Sequence, residues 1–207
     1  MAFSIGNATY RIISEITPEV SYTEAVNGNT PTDYAGHWVV EGYVTHNDMN
    51  YAIVGIDSAA FSQSTALRSV RLGKSLRFIG SELFHGCSTL NAVVWDAEQP
   101  ITSELFDKNS YYNLLIYAPE DIEFSHPLMD AGRMTLIKND KTSTLHLHAD
   151  KPLYCPRPFT AGYVWYERSF TQLSGLDDAA GWETITLPFD VQKFSHASKG
   201  EDRKSVV

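Results

Sequence analysis

Cysteine, charge gathered by sign and long apolar runs are all scarce in this chain of 207 residues, and each scarcity removes a class of protein. Two cysteines, Cys87 and Cys155, are too few for a disulfide framework. No stretch approaches the ~18 consecutive apolar residues of a membrane span, so membrane insertion is not expected of this chain. Acidic residues outnumber basic ones by 25 to 16, for a formal charge of −9, but neither sign forms a block. Nucleic acid is therefore excluded as a partner, because its affinity rests on a clustered basic surface. Proline is sparse at nine residues, against eleven Tyr, ten Phe and four Trp, and 43% of the chain is hydrophobic. That is the composition of a chain that buries a core and not of a disordered one.

Chemistry is scarce as well. His146-x-His148 puts two imidazoles on one strand face, a spacing that can serve a metal, but Asp150 is the sole close third ligand and structural sites usually show more. A solvated strand face is the expected reading, with no metal and no cofactor. Cys155 has no histidine at a recognisable nucleophile-and-base spacing, and an unreactive thiol is expected. Glu120-Asp121 and Asp177-Asp178 are adjacent pairs beside loop residues. A glycosidase needs two acids placed across a cleft, so these pairs read as solvated turns. No catalytic residue is assigned, and the chain is expected not to be an enzyme.

What the chain does have is a repeat. Ile56-Asp57-Ser58-Ala59-Ala60-Phe61 returns as Ile79-Gly80-Ser81-Glu82-Leu83-Phe84, displaced by 23 positions. The same displacement carries Leu67 to Leu90, Val70 to Val93 and Leu72 to Trp95. A third, more worn turn places Ile101 and Phe106 22 beyond Ile79 and Phe84, and Ile116 23 beyond Val93, with the slip near Asp107 to Tyr112. Such a turn cannot bury its own apolar edge, so turns must stack. Ile56, Phe61, Leu67, Val70 and Leu72 are expected in the core, with their partners Ile79, Phe84, Leu90, Val93 and Trp95. Pro119 is expected to close the unit.

Phe61-Ser62-Gln63-Ser64-Thr65-Ala66-Leu67 and Phe84-His85-Gly86-Cys87-Ser88-Thr89-Leu90 resemble the AF-x-G-C-x-x-L core of the BspA-like leucine-rich repeats of bacterial surface proteins. The likeness covers about residues 3 to 119. The first turn departs from it, with Gln63-Ser64 for Gly-Cys and Asp57 where the family favours Gly. The resemblance implies a mainly β fold, a short leucine-rich-repeat solenoid with an N-terminal β cap and a small C-terminal β unit. It also implies a non-enzymatic protein of the bacterial cell surface or secreted space, binding a protein or extracellular-matrix ligand. Met1-Ala2-Phe3-Ser4-Ile5-Gly6 lacks the basic start and apolar run of a signal peptide, so an export signal is expected to be absent from this chain.

Organisation follows as residues 1–119 for cap and repeats, 120–143 for a connecting segment, and 144–207 for the C-terminal β unit. Asn27-Gly28-Asn29 and Asn47-Asp48 are expected turns of the cap. Thr144–His148 and Glu183–Leu187 alternate as half-buried strands, and Pro158–Phe170 reads as β between them. Leucine-rich repeats generally bind on the outward face of their strands. Arg71, Val94 and Tyr117 should line up there at intervals of 23, with Ser69, Ala92 and Leu115 as the parallel row, so these six are the expected contact surface. The alternative is a carbohydrate platform of Tyr163, Trp165 and Trp182, whose rings could stack on a sugar.

Overall fold

The computed structural model describes residues 1–6, 8–23, 34–40 and 42–167. Trp182, Asp177-Asp178, the turn at Asn27-Gly28-Asn29 and the strand expected at Glu183–Leu187 lie outside the described residues.

Two sheets carry the fold. The cap holds β1 (Ala2–Ile5), β2 (Ala8–Ser14) and β3 (Glu19–Tyr22), followed by β4 (Gly36–Val40), which joins the other sheet. The hairpin β5 (Tyr43–His46) and β6 (Met49–Ile56) completes the cap sheet in the order β1-β2-β3-β6-β5. Asn47 and Asp48 close that hairpin with φ of 49° and 62°. Two left-handed residues in succession match the right-handed twist of the strands, and Asn and Asp tolerate that conformation best after Gly.

The second sheet is the repeat stack: β4, β7 (Leu67–Leu72), then β9 (Ala92–Trp95), β10 (Leu114–Ala118) and β11 (Met134–Lys138), all parallel neighbours. On the returning limb, β8 (Phe78–Ile79) pairs parallel with β6, again one 23-residue turn apart. Trp38, Val70, Val93, Ile116 and Leu136 fall in one cross-strand row. This is a leucine-rich-repeat solenoid of about five turns. It runs past Pro119, because residues 120–133, which include the short helix α1 (Pro127–Asp130), bring β11 into register beside β10. Residues Met1–Arg168 form one compact unit.

Inside the stack, Phe61, Phe84 and Phe106 form a continuous spine, with ring centroids 6.2 and 5.3 Å apart. Of the ten expected core residues, nine are buried and Ile79 is half-buried against the same core. Cys87 is buried too. Its Sγ donates to the Phe61 carbonyl at 3.0 Å, and burial pushes the thiol up to about 12, so it packs as a small apolar group. Ser64 is likewise buried at the equivalent site one turn earlier.

Asp57 explains itself once the cap is seen. Its carboxylate accepts two hydrogen bonds from Arg11, at 2.6 and 2.5 Å, and one from Ser21 Oγ at 2.9 Å, clipping β2 and β3 to the first turn. Burial raises this carboxyl, but the bonds from Arg11 and Ser21 outweigh it, and the net shift is downward. A depressed folded-state value stabilises above the unfolded value of about 3.9 and ceases to do so as pH falls through the lower folded value. Asp57→Asn is expected to cost about 1.5–3 kcal/mol at pH 7, the usual range for hydrogen bonds to a charged group. In urea titrations the gap between native and variant should close below about pH 4. A gap that did not narrow at all as pH fell below about 4 would assign the loss to something other than this carboxylate.

After β11, the turn Asn139-Asp140 leads into β12 (Lys141–His148), antiparallel to β11 through the pair Lys138 and Lys141. The chain then pairs β13 (Thr160–Glu167) parallel to β12. Parallel neighbours cannot be joined by a tight hairpin, so the connection must travel back along the strand. Residues 149–159 do this, and their path decides which surfaces stay open.

Candidate functional site

The six expected contact residues come together as the spacing implied. Ser69, Ala92 and Leu115 are cross-strand partners, and so are Arg71, Val94 and Tyr117. His37 and Thr135 extend the first row, while Val39 and Ile137 extend the second. The surface they make is largely closed, however: five of the six are buried, and Arg71 alone is exposed, its Nε on the Asp96 carboxylate at 2.7 Å. Ala92, Val94, Leu115, Tyr117 and Ile137 are buried but stand apart from the main core, as do Leu145 and Leu147 of β12. The outward rows are thus the floor of a second buried layer.

The arm of residues 149–159 lies on that floor. Asn113 at the foot of β10 holds its start: Nδ2 donates to the carbonyls of His148 at 3.1 Å, Lys151 at 3.0 Å and Pro152 at 3.3 Å, while Oδ1 accepts from the His148 N–H at 2.9 Å. Asn91, one turn earlier, donates to the same Pro152 carbonyl at 3.2 Å. Tyr154 packs on His37, ring centroids 4.4 Å apart, and His37 Nδ1 meets Ser69 Oγ at 2.7 Å. The Tyr117 hydroxyl donates to the Arg157 carbonyl at 3.0 Å, and Phe159 stands edge-on to its ring. Burial pushes the Tyr117 phenol well up, so it stays a donor. Cys155 rides on the arm, exposed, with burial raising its thiol as the first cause. A thiol so placed lacks the electropositive setting of a nucleophile.

The open surface is elsewhere. The register of β12 and β13 places Thr144 beside Tyr163, His146 beside Trp165 and His148 beside Glu167. Alternation puts all six on one face of the ribbon, with Leu145 and Leu147 turned to the other and buried. Tyr163 is 75% exposed and Trp165 57%, although both are aromatic. His146 and Trp165 lie nearly parallel, 11° apart with ring centroids at 6.3 Å. His148 is fixed from both sides, Nδ1 at 3.2 Å from the Glu167 carboxylate and Nε2 at 3.1 Å from the Gly132 carbonyl. A cleft of about 300 Å³ opens here, lined by Gly132, His146, His148, Trp165, Tyr166 and Glu167. Gly132 is required at its rim. Its φ is +67°, and a Cβ there would come 2.8 Å from His146 Nδ1.

Asp150, the sole close candidate for a third ligand beside His146-x-His148, is next to Lys151 at 3.3 Å, and the described residues hold no cluster of three metal-ligating side chains. No helix among them is long and apolar enough to cross a membrane. The ribbon's polar partners, Thr144, His148 and Glu167, were not singled out as contact residues from the sequence. The signal was present in the alternation of Thr144-Leu145-His146-Leu147-His148, but its pairing partner was not.

No protein-family model matches the chain, and no curated protein does. Two solved structures are similar to it. A leucine-rich cell surface protein of Faecalibacterium prausnitzii is 16% identical with a TM-score of 0.38, over 81% of this chain and 43% of its own length. A leucine-rich repeat protein of Bacteroides capillosus is 18% identical with a TM-score of 0.46, over 67% of this chain and 98% of its own. The solenoid assignment rests on the spacing and register within this molecule.

Proposed function

We propose that this is a non-enzymatic binding protein of the bacterial cell surface or secreted space. Its contact surface is the outer face of β12 and β13, and its ligand is carbohydrate. The observation that carries this reading is the contrast in exposure. The rows of the repeat strands are covered by the chain's own arm, whereas Tyr163 and Trp165 stand in solvent beside a cleft with a carboxylate and two imidazoles. Rings left exposed in this way suit the apolar faces of sugars, and Glu167, His146 and Thr144 suit their hydroxyls. No cofactor enters this reading.

A protein or matrix ligand is the second reading. It is favoured by the corner of the repeat face that the arm leaves open, where Val39 is 54% exposed next to Arg71.

A glycan array probed with the purified protein and with Trp165→Ala tests the first reading. We expect at least a tenfold loss of affinity in the variant, equivalent to about 1.4 kcal/mol, for whichever glycan the native protein retains. Stability should stay within about 0.5 kcal/mol, because the side chain is exposed. Retention of no glycan, or equal retention by the variant, would remove this reading.

A further inference from the structure

The rings on the outer face of β12 and β13 are spaced for more than one sugar. Tyr163 and Trp165 lie two residues apart on one strand, which sets them about 6.6 Å apart along its axis. That is of the order of the step between consecutive units of a glycan chain. The cleft is lined by Gly132, His146, His148, Trp165 and Glu167 among others, and its lining stops short of Tyr163. A sugar seated in the cleft therefore meets Trp165, and the next unit along β13 meets Tyr163. Tyr163 does little for the fold itself, being 75% exposed, with Thr144 as its cross-strand partner. Beyond it the face continues with the small side chains of Thr142 and Ala161.

The charge on this face selects as well. Its cross-strand pairs, from Thr142 and Ala161 to His148 and Glu167, contain one carboxylate and neither lysine nor arginine. His148 Nδ1 stands 3.2 Å from that carboxylate, so any positive charge the ring takes up is matched there. The cations that flank the cleft in sequence are engaged elsewhere. Arg133 lies over the Tyr112 ring, 3.9 Å from its centroid, and donates to the Tyr111 and Asn109 carbonyls. Lys151 is 5.0 Å from the same ring centroid and 3.3 Å from the Asp150 carboxylate. The chain as a whole carries a formal charge of −9. A polyanionic glycan would thus meet a carboxylate at the cleft and repulsion from the molecule at large.

We infer that the ligand is an uncharged glycan chain, held through at least two consecutive sugar units along β13. Trp165 stacks on one unit and Tyr163 on the next. This deepens the carbohydrate reading and rests on it. An uncharged chain offers hydroxyls to Glu167, His146 and Thr144, and apolar ring faces to the two aromatics. Affinity then grows with chain length until both rings are covered.

The test runs the full-length native protein through gels that contain a neutral polysaccharide (β-glucan, mannan or galactan) or an acidic one (polygalacturonate or chondroitin sulfate). At least one neutral polysaccharide should retard it, and neither acidic one should. Oligosaccharides of one and three units, cut from the retarding polysaccharide, are then titrated by calorimetry. The native protein should bind three units at least about tenfold more tightly than one. In Tyr163→Ala, an exposed position, that gain should shrink to less than about threefold. Retardation by an acidic polysaccharide, equal affinity for one unit and three, or an undiminished gain in Tyr163→Ala would each overturn the inference while leaving the carbohydrate reading in place. Retardation by no polysaccharide of either kind would remove that reading, and the inference with it.

Discussion

Phe84→Ala is expected to cost about 3–5 kcal/mol, the largest loss of any single substitution considered, and to show in urea unfolding as a lowered midpoint. The ring is fully buried in the middle of the spine, between Phe61 and Phe106. Truncation would remove its transfer energy and both ring contacts while leaving a void that turns on either side cannot easily fill. The backbone around it is committed as well. Its N–H donates to the Leu105 carbonyl of the next turn at 2.9 Å, and its carbonyl accepts from the buried Tyr111 hydroxyl. Relaxation into the void would break those bonds, so the cost should lie toward the upper part of the range. A loss under about 1 kcal/mol would mean that the turns do not share a core.

Gly80→Ala is the second large effect, and its cause is steric. A Cβ at Gly80 would stand 2.2 Å from the backbone nitrogen of Ser58 and 2.6 Å from its Cα, both rigid parts of the preceding turn. The Gly80 N–H also donates to the Ile56 carbonyl at 2.8 Å, which fixes the approach. One methyl must therefore push two turns apart, and overpacking of this kind costs about 1–3 kcal/mol or more. The equivalent residue one turn earlier is Asp57, whose side chain reaches Arg11 and Ser21 of the cap. Differential scanning calorimetry should show a clear fall in Tm for Gly80→Ala. An unchanged Tm would mean that successive turns do not approach this closely.

The repeat was legible because stacking imposes one spacing on many residues at once. A displacement of 23 carried Ile, Phe, Leu and Val together, and the register of β7, β9 and β10 follows it residue for residue. The departures were legible as facts but not as causes. Gln63 replaces the family's Gly and takes φ of +62°, the same left-handed conformation as Gly86 at +74°. Asp57 acquires its meaning from Arg11, which is far away in sequence. Where the solenoid stops was harder to read. Pro119 ends β10, but nothing in residues 120–133 announces that the next strand returns to the same register.

The covered face was not legible for a specific reason. Alternation correctly orients Arg71, Val94 and Tyr117 to one side, but it says nothing of what lies above them. That depends on β13 joining β12 in parallel, since an antiparallel pairing would have allowed a short turn and left the rows bare. Strand direction relative to a neighbour is a tertiary fact. The same fact sets Tyr163 and Trp165 beside Thr144 and His146 on one open face.

The most direct measurement compares two double variants against the ligand retained by the native protein, each variant first shown to be folded. Tyr163→Ala with Trp165→Ala removes the exposed rings of β13, and Val39→Glu with Arg71→Glu alters the open corner of the repeat face. By titration calorimetry, the first pair should abolish binding while the second leaves Kd within about twofold. Binding that survived loss of both rings and disappeared on changing Val39 and Arg71 would contradict the account and return the contact surface to the repeat strands.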